Sequence, residues 1–554
     1  MFKIKPTDIQ EDTTAGPDSR PRRKGLLLAE QEIQLAREVF HIVGEPMDVW
    51  AVAATLESIG LRDSDAVQQY QRPDLFKLAE RILYLIHVDP ARTRPEVGPL
   101  PVPERENRLA RALLFYFRGA SAALPMAGQI ACMLLLRYSL WAWVDFSDTQ
   151  ATVVTIGTIL SFIVTGGFIQ TIGREGVRYA GQANYFLSYK ISMKIIRAGI
   201  ASVVIVGIVI YAVNLVIPYY DERLMIISLM YYLLLSVLWL FSSLSYVLNK
   251  QFAVFVCMTV GVAPVYLVMQ YTTLGIYAAA AAGMSAAAAM MAVYTVVLMR
   301  RRVKRTESFL LLSRLPHAPV RTYTAAPYFL YGLLYFVNLF VDRVVSWSAP
   351  NPEPLPYVIW FRTPYELGMD WALLSLVLTL AALEYMIHEF SFHQIPMQRA
   401  VRNADLGDYV SFYKRFFVKH LIIITVIGLL SIVVSYYGVL SLQRFDHVRE
   451  VREFFSSPIT FQVFWAGAFG YFFLALGLYN CLFFFTLSRP EFAIRSIVAG
   501  LGVNIMVSLI LSRWVQYDFG AGGLIIGGIV FALMTMNYAL KFFDRLDYYY
   551  YAAY

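Results

Sequence analysis

Eleven polar side chains lie inside or at the ends of long apolar segments, where such groups could pass an ion or bind a substrate. On insertion scales, an acidic or basic residue at the centre of a membrane helix costs about 2.5–3.5 kcal/mol. Ionisable residues kept at that cost commonly line substrate or proton paths, so these positions form the candidate site. They are Arg137, Arg174, Glu175, Asn338, Asp342, Arg343, Glu366, Asp370, Glu384, His388 and Glu389.

Four of these residues have the spacing of a single helical face. Glu366 and Asp370 are four residues apart, and so are Glu384 and His388. The step from Asp370 to Glu384 falls within about 40° of a whole number of turns at 3.6 residues per turn. The pattern predicts one acidic stripe along a helix, which suits a cationic substrate or a coupling cation.

A structural role for the same residues is the alternative. Asp342 could pair with Arg137 in a salt bridge, and Arg343 could extend to the lipid headgroups. His388 and Glu389 lie within two turns of the end of their segment, where the cytoplasm could hydrate them. A structural pair predicts that loss of one charge lowers expression.

Twelve apolar segments position these residues, and each is about 20 residues long or more, enough to cross a hydrocarbon core of about 30 Å. The candidate residues lie only on the first, second, seventh and eighth segments, so two related halves would bring them onto one central surface. The sequence therefore predicts an all-α integral membrane protein of two six-helix bundles. The segments are 119–144, 150–172, 196–217, 224–247, 251–271, 275–299, 325–348, 366–393, 418–442, 460–487, 491–512 and 520–543.

Basic residues are concentrated in the connections that follow the even-numbered segments. Cytoplasmic connections carry an excess of lysine and arginine, so these connections, and with them both termini, are predicted to be cytoplasmic. The net charge of +8 therefore reflects topology and some attraction to anionic membrane lipids. No basic face stands out before residue 119, so nucleic acid is not an expected partner.

The chain before the first apolar segment is predicted to form a small helical domain. Apolar residues recur at helical spacing in 26–43, 50–59 and 75–86, and Gly60 is a candidate C-cap. A proline-rich stretch then leads to a basic amphipathic helix, expected on the membrane surface. The predicted organisation is a disordered tail (1–24), a cytoplasmic helical domain with a proline-rich linker (25–103), an amphipathic membrane-surface helix (104–118), a first bundle (119–299), a basic cytoplasmic linker (300–324) and a second bundle with the C-terminal tail (325–554).

The sequence lacks the motifs of several membrane-associated enzymes. It has no Walker A motif for ATP hydrolysis, and the loops between its apolar segments contain no DxD pair for a metal-bound nucleotide sugar. His388 and His393 are five residues apart, which does not suit a metal site on one helical face. Cys132, Cys257 and Cys481 lie within apolar segments and are interpreted as small core residues. We therefore expect no enzymatic activity, no metal and no cofactor.

Residues 119–544 resemble the multidrug/oligosaccharidyl-lipid/polysaccharide (MOP) flippase superfamily in their twelve segments, charged positions and basic connections. Two stretches, 334–347 (LYFVNLFVDRVVSW) and 364–390 (containing PYELGMD and EYMIHEF), resemble the transporters of the Pel exopolysaccharide system. The resemblance implies two bundles that open alternately to either side of a bacterial inner membrane. It also implies a polysaccharide or lipid-linked sugar as substrate. The implied partners are a cytoplasmic glycosyltransferase and other membrane subunits of a synthase complex.

Four functions remain open at this point. The first is export of an amino-sugar-rich exopolysaccharide, as in biofilm formation, by alternating access or as the membrane channel of a synthase complex. A flippase for an anionic lipid-linked oligosaccharide should need several cations in its cavity, and only Arg137, Arg174 and Arg343 are available. A cation-coupled drug antiporter could use Asp342 or Asp370 as its coupling carboxylate. The fourth is a non-transporting scaffold for a glycosyltransferase, in which the membrane charges are dispensable.

Overall fold

The structure is a computed structural model, and its described part consists of helices, turns and loops with one isolated β-bridge. The helices before residue 89 belong to a first compact unit, and Arg105–Ser391 with Gly407–Ala553 form a second. The proline-rich linker, most of the predicted surface helix 104–118 and the C-terminal tail lie outside the described residues. The described ranges are 19–43, 46, 48–88, 114, 116–117, 119–121, 124–182, 184–306, 318–351, 355–400, 406–442, 457–486 and 488–544.

Four helices form the part of the first unit that lies before residue 89. The second of them begins after Asp48, whose side chain accepts a hydrogen bond from the Ala51 N–H at 2.8 Å as an N-cap. It ends at Ser58 with Ile59 as its C-cap, so the predicted C-cap, Gly60, is one residue further along and has a φ of +97°. The helices are α1 (Ser19–Val43), α2 (Val49–Ser58), α3 (Asp63–Tyr70) and α4 (Leu75–Val88).

The first unit has an apolar core around one buried carboxylate. Glu32 on α1 is 4% exposed and pairs with Arg72 at 2.7 Å and with Arg81 at 3.2 Å. Two guanidinium groups offset the cost of burying that carboxylate. Two details differ from the sequence prediction. Helix α1 begins inside the stretch 1–24 assigned to a tail, and α3 is an additional helix whose single buried residue, Ala66, gives no periodic apolar pattern.

Among the described residues, twelve apolar helices form two six-helix bundles. Eleven of them are long and apolar enough to cross a membrane, and α5 is a shorter apolar helix, which confirms the predicted fold class. The N-terminal bundle contains α5 (Leu124–Leu136), α6 (Asp148–Gly181), α7 (Tyr185–Val216), α8 (Glu222–Val247), α9 (Phe252–Tyr271) and α10 (Ile276–Thr306). The C-terminal bundle contains α11 (Ala318–Trp347), α12 (Thr363–Ala400), α13 (Leu406–Leu442), α14 (Pro458–Thr486), α15 (Pro490–Trp514) and α16 (Gly522–Phe543), with a 3₁₀ helix (Tyr517–Ala521) before α16.

The first apolar helix ends earlier than the predicted 119–144. Helix α5 ends at Leu136, and Arg137 adopts a left-handed φ of +66°. A packed loop follows, in which Leu140 is fully buried and its N–H donates to the Gln129 side chain at 2.8 Å. The apolar residues of this loop pack against the core of the N-terminal bundle. Their hydropathy is therefore as high as that of a helix, and the sequence alone does not show where the helix ends.

Several helices extend beyond the apolar segments into the basic connections. Helix α6 continues to Gly181, α10 to Thr306 and α12 to Ala400. Lysine, arginine and glutamate are good helix formers, so a helix can continue after it leaves the apolar layer. The predicted linker 300–324 is therefore helical at both ends, while 307–317 lie outside the described residues.

The two bundles meet where α6 crosses α11. Glycines allow the close approach, since a Cβ on Gly332 would lie 2.5 Å from the carbonyl oxygen of Gly166. Small residues at such crossings let membrane helices approach until their backbones almost touch. Gly119, which precedes α5, approaches Ala381 of α12 in the same way. The first and eighth apolar segments are thus neighbours, as are the second and seventh.

Candidate functional site

A buried ionic network lies where the end of α11 meets the start of α12. Arg343 is at its centre. Its Nη1 donates to Glu366 Oε1 and, at 3.0 Å, to Asp370 Oδ1, and its Nη2 donates to the Tyr471 hydroxyl at 3.1 Å. The side chains of Arg343 and Glu366 are almost fully buried, whereas that of Asp370 is 55% exposed. The network therefore has one accessible carboxylate.

Asp342 is fully buried beside Arg343 and adds a third carboxylate to the network. Its Oδ2 accepts a hydrogen bond from the Tyr365 hydroxyl at 2.9 Å. Its Oδ1 and Glu366 Oε2 have no hydrogen-bond partner among the described residues. Unsatisfied buried carboxylate oxygens cost free energy, and a proton or a cation would remove that cost. The group is named here the acidic network, and its members are Asp342, Arg343, Glu366, Asp370, Tyr365 and Tyr471.

The ends of the two helices hold the acidic network in place. Glu366 lies in the first turn of α12, where the helix dipole favours a carboxylate. At the end of α11, Arg513 Nη1 donates to the Val345 carbonyl oxygen at 2.9 Å. Arg362 Nη2 donates to the Ala349 carbonyl oxygen at 3.0 Å, and burial lowers the pKa of Arg362 from its ordinary value. Two arginines thus cap the carbonyl end of α11.

Asn338 is one turn before Asp342 but makes a separate amide contact. Asn504 on α15 donates to the Asn338 backbone carbonyl at 3.2 Å and to its side-chain carbonyl at 3.3 Å. Ser508 in turn donates to the Asn504 side chain at 3.2 Å. Polar contacts of this kind join membrane helices. Asn338 therefore joins α11 to α15 next to the acidic network.

Arg137 is not part of the acidic network. It follows the end of α5 and pairs with Asp145 at 2.7 Å, with both side chains about half exposed. The alternative in which Arg137 pairs with Asp342 is therefore wrong. Because α5 ends at Leu136, this arginine lies in a loop and not within a membrane helix.

Arg174 and Glu175 lie near the far end of α6. Glu175 is buried and accepts a hydrogen bond from Arg178 at 3.0 Å. Arg174 Nη2 donates to Ser488 Oγ at 2.6 Å, and its guanidinium lies 5.2 Å from the centroid of the Tyr328 ring. Arg174 thus links the two bundles at the end that the sequence predicts to be cytoplasmic.

Glu384, His388 and Glu389 lie further along α12 than the acidic network. Asp370 and Glu384 are fourteen residues apart on this helix, which corresponds to about 21 Å at 1.5 Å per residue. Glu384 and Glu389 are half-buried, and the His388 side chain lies outside the described residues. Helix α12 therefore carries two separate acidic regions, one at each end of its apolar part.

Tyr365 and Tyr471 belong to the acidic network but are absent from the residues predicted as its members. Tyr471 lies in the middle of α14, an apolar helix without a charged residue, so its sequence does not indicate a polar site. Tyr365 directly precedes Glu366, and a hydroxyl beside an intramembrane carboxylate is a signal that could have been used. Both residues act as hydrogen-bond partners, which a search for charge does not detect.

The loop before α12 connects the two bundles. Tyr357 donates to Asp221 Oδ2 at 2.8 Å, and Tyr220 donates to the Ile359 carbonyl oxygen at 2.7 Å. The rings of Tyr220 and Tyr357 also lie 4.8 Å apart between centroids. The hydrogen bond to Asp221 raises the pKa of Tyr357 above its ordinary value.

Two further contacts extend this connection to the start of α12. Thr363 Oγ1 donates to Asp148 Oδ1 at 3.0 Å, and the Phe361 N–H donates to Thr152 Oγ1 at 3.0 Å. Residues 355–363 are named here the clasp. The clasp reaches α6 and the loop before α8, so the two bundles are joined at the end that carries the acidic network. The charge pattern predicts that this end faces away from the cytoplasm.

Solved structures with the same fold are transporters. The chain is similar to a MATE transporter in complex with MaD5, with a TM-score of 0.56 at 11% identity, covering 80% of this chain and 98% of that one. It is similar to a MOP superfamily transporter from Pyrococcus furiosus, with a TM-score of 0.54 at 13% identity, covering 79% and 96%. A mutant of the Vibrio cholerae MATE transporter VcmN gives 0.53 at 14% identity, covering 80% and 98%. No protein-family model and no curated protein matches the chain. The chain is thus a multi-pass membrane protein with the fold of the MATE and MOP transporters.

Proposed function

We propose that this chain is a membrane transporter of the MOP superfamily that exports an amino-sugar-rich exopolysaccharide by alternating access of its two bundles. The observation that carries the proposal is the acidic network, in which three carboxylates surround one guanidinium within a transporter fold. The network lies largely on the stretches 334–347 and 364–390, which resemble the Pel transporters. A substrate with protonated amino groups complements this negative charge.

The charge of the acidic network disfavours a flippase for lipid-linked oligosaccharides. A pyrophosphate-linked substrate is anionic and needs available cations along its path. Arg343 is paired with Glu366 and Asp370, and Arg137 is paired with Asp145. Two of the three basic groups that such a flippase could use are therefore engaged by carboxylates, and the third, Arg174, donates to Ser488. Asp370, by contrast, is accessible to a cation.

A cation-coupled antiporter is the second candidate, and one observation favours it. Asp342 Oδ1 and Glu366 Oε2 lack hydrogen-bond partners among the described residues, so a coupling proton or cation could satisfy them. The two candidates use the same site and differ in cargo. The exporter carries a polymer, and the antiporter carries a small organic cation.

Asp370→Asn in the full-length protein tests the proposal, because it removes charge from the accessible part of the acidic network. In cells that also make the polymer, we expect secreted amino-sugar polymer to fall to a small fraction of the wild-type amount. Asp544→Asn is the matched control, since it breaks the exposed pair with Lys414 at 2.8 Å, and it should leave secretion unchanged. Ethidium efflux that depends on Asp370, together with unchanged polymer secretion, would support the antiporter and exclude polymer export.

The proposal also places both termini in the cytoplasm beneath a bacterial inner membrane. The first unit would then be available to a cytoplasmic glycosyltransferase and to other membrane subunits of a synthase complex. Basic residues on the extended ends of α6 and α10 support this orientation. Deletion of residues 1–103 should leave membrane insertion intact and abolish secretion. If that deletion abolishes secretion while the Asp370 variant secretes normally, a scaffold function replaces transport.

A further inference from the structure

An open groove lies along one face of α13, near the end of this helix that the charge pattern places in the cytoplasm. Its volume is about 530 Å³, which is within the range of small-molecule sites. No member of the acidic network lies on α13, so the groove is a separate feature. It is named here the basic groove, and it is lined by Lys414, Arg415, Val418, Lys419, Ile422 and Ile423.

The basic groove lies on the face of α13 that is turned away from its bundle. On the buried face, the ring of Phe417 packs 5.5 Å from Tyr479 of α14 and 4.8 Å from Phe543 of α16. In the groove, by contrast, Val418 is 43% exposed and Ile422 is 59% exposed. Helix α13 is long and apolar enough to cross a membrane. Its exposed apolar face therefore contacts lipid.

The lining of the basic groove changes from basic to apolar along the helix. The three basic side chains lie at the end nearer the start of α13. Val418 and Ile422 are four residues apart, and the exposed Val426 continues their row. This row is about 12 Å long at 1.5 Å per residue, which fits within half of a hydrocarbon core of about 30 Å. A phospholipid in one leaflet has the same order of charge and apolar surface.

Two of the three cations in the basic groove are available to a ligand. Lys414 pairs with Asp544, which follows α16, at 2.8 Å. Arg415 donates to the Ser411 carbonyl oxygen of its own helix at 3.3 Å, and neither Arg415 nor Lys419 has a carboxylate partner among the described residues. Both are exposed. Three cations and one carboxylate give the groove a positive charge, so it complements an anion.

We propose that the basic groove binds an anionic phospholipid of the cytoplasmic leaflet, with its phosphate at Arg415 and Lys419 and an acyl chain along Val418 and Ile422. Guanidinium and ammonium groups make strong charge-assisted hydrogen bonds to phosphate oxygens. Basic pockets at the cytoplasmic side of membrane helices suit anionic headgroups. The inference depends on the membrane fold and goes beyond the proposed export function, which does not use α13.

The apolar part of the basic groove favours a lipid over a soluble phosphate compound. A soluble anion would contact only the basic side chains and would leave Val418, Ile422 and Ile423 without a ligand contact. An acyl chain covers this apolar surface while the phosphate stays at the level of the headgroups. The charge and the apolar row then serve one molecule.

Native mass spectrometry of the purified full-length protein in detergent tests the site, with dioleoylphosphatidylglycerol as the probe. Arg415→Gln combined with Lys419→Gln should weaken binding by about tenfold or more. Lys194→Gln combined with Arg197→Gln is the matched control, because these exposed basic residues lie toward the corresponding end of α7, and it should bind like the wild type. Dioleoylphosphatidylcholine should bind more weakly to the wild type, because its headgroup has no net charge.

Three outcomes would overturn the assignment. Equal weakening in both double variants, with all proteins monodisperse, would mean that basic residues attract the lipid without a specific site. Equal binding of the two lipids by the wild type would remove the role of charge. If glycerol phosphate displaces bound dioleoylphosphatidylglycerol as effectively as added phosphatidylglycerol does, the groove binds a phosphate group alone and the lipid assignment is wrong.

Discussion

The two bundles share one architecture but bury different chemistry. The N-terminal bundle has a core of small and aliphatic side chains from α8, α9 and α10, such as Met258, Ala279 and Ala287. The C-terminal bundle buries ionisable side chains, among them Asp342 and Arg343. The N-terminal core is held mainly by the fit of volumes, and the C-terminal interior also depends on charge and hydrogen bonds.

If the chain transports a substrate as proposed, this difference gives the two bundles different roles. Intramembrane charges are retained where they serve an ion or substrate path, and here they are concentrated in the C-terminal bundle. The N-terminal bundle contributes Phe162 to the interface, an uncharged ring that stacks on Phe336 and Phe340 of α11. The comparison predicts that the C-terminal bundle loses stability when a buried charge is removed, and that the N-terminal bundle loses stability when side-chain volume is added.

The largest effect is expected for Arg343→Gln in the C-terminal bundle. The change leaves three neighbouring carboxylates without their shared cation, and breaking a buried ion pair from one side typically costs about 3–5 kcal/mol. We expect a large loss of expression and of thermal stability in detergent. Arg137→Gln breaks an exposed pair with Asp145 and should cost about 1 kcal/mol or less.

A double variant makes the Arg343 prediction sharper. Arg343→Gln combined with Glu366→Gln removes one of the carboxylates that lost its partner. Part of the lost stability should therefore return. If the double variant is no more stable than Arg343→Gln alone, the ion pair is not the source of the effect, and lost packing of the arginine side chain is the better explanation.

The N-terminal bundle should instead be sensitive to added volume. A Cβ on Gly283 of α10 would lie 2.7 Å from the Gly261 carbonyl oxygen of α9. Gly283→Leu should therefore destabilise by about 1–3 kcal/mol through overpacking. Gly173→Ala on α6 is the control, because nothing lies within 4 Å of its added carbon. If the two variants unfold at the same temperature, the N-terminal core is not specified by the volumes of its side chains.

Much of the architecture could be predicted from sequence because membrane crossing is a local property. A run of about 20 apolar residues identifies a spanning helix, and a charge within such a run is visible without any partner. On this basis, the sequence alone identifies Asp342, Arg343, Glu366 and Asp370 as candidates. The position of Arg137 was beyond this reasoning, because apolar loop residues and apolar helix residues have the same hydropathy.

The partners within the site could not be predicted, because they depend on contacts between distant segments. Tyr471 meets Arg343 across 128 residues of chain, and nothing in its own segment distinguishes it from other tyrosines. Phe162 is a similar case, because the rings of Phe336 and Phe340 on which it stacks belong to the other bundle.

A smaller effect on stability, with a large one on function, is expected for Asp342→Asn. The amide keeps the shape of the carboxyl group, and its oxygen can still accept the hydrogen bond from Tyr365. We expect near-normal expression but little secreted polymer. Arg137→Gln should not modify the result, because Arg137 pairs with Asp145. Normal secretion at lowered expression would instead give Asp342 a structural role.

The smallest effect is expected where the two bundles touch, at the Tyr357 hydroxyl of the clasp. Tyr357→Phe keeps the ring contact with Tyr220 and removes the hydrogen bond to Asp221, which is worth about 0.5–1.5 kcal/mol. Hydrogen–deuterium exchange of residues 355–363 should rise a few-fold, since the joined state of the two bundles loses part of its stability. Tyr271→Phe, at an exposed end of α9, should leave that exchange unchanged. Because the clasp is also held to its own bundle by Arg362, unchanged exchange in Tyr357→Phe would mean that the C-terminal bundle alone positions this loop.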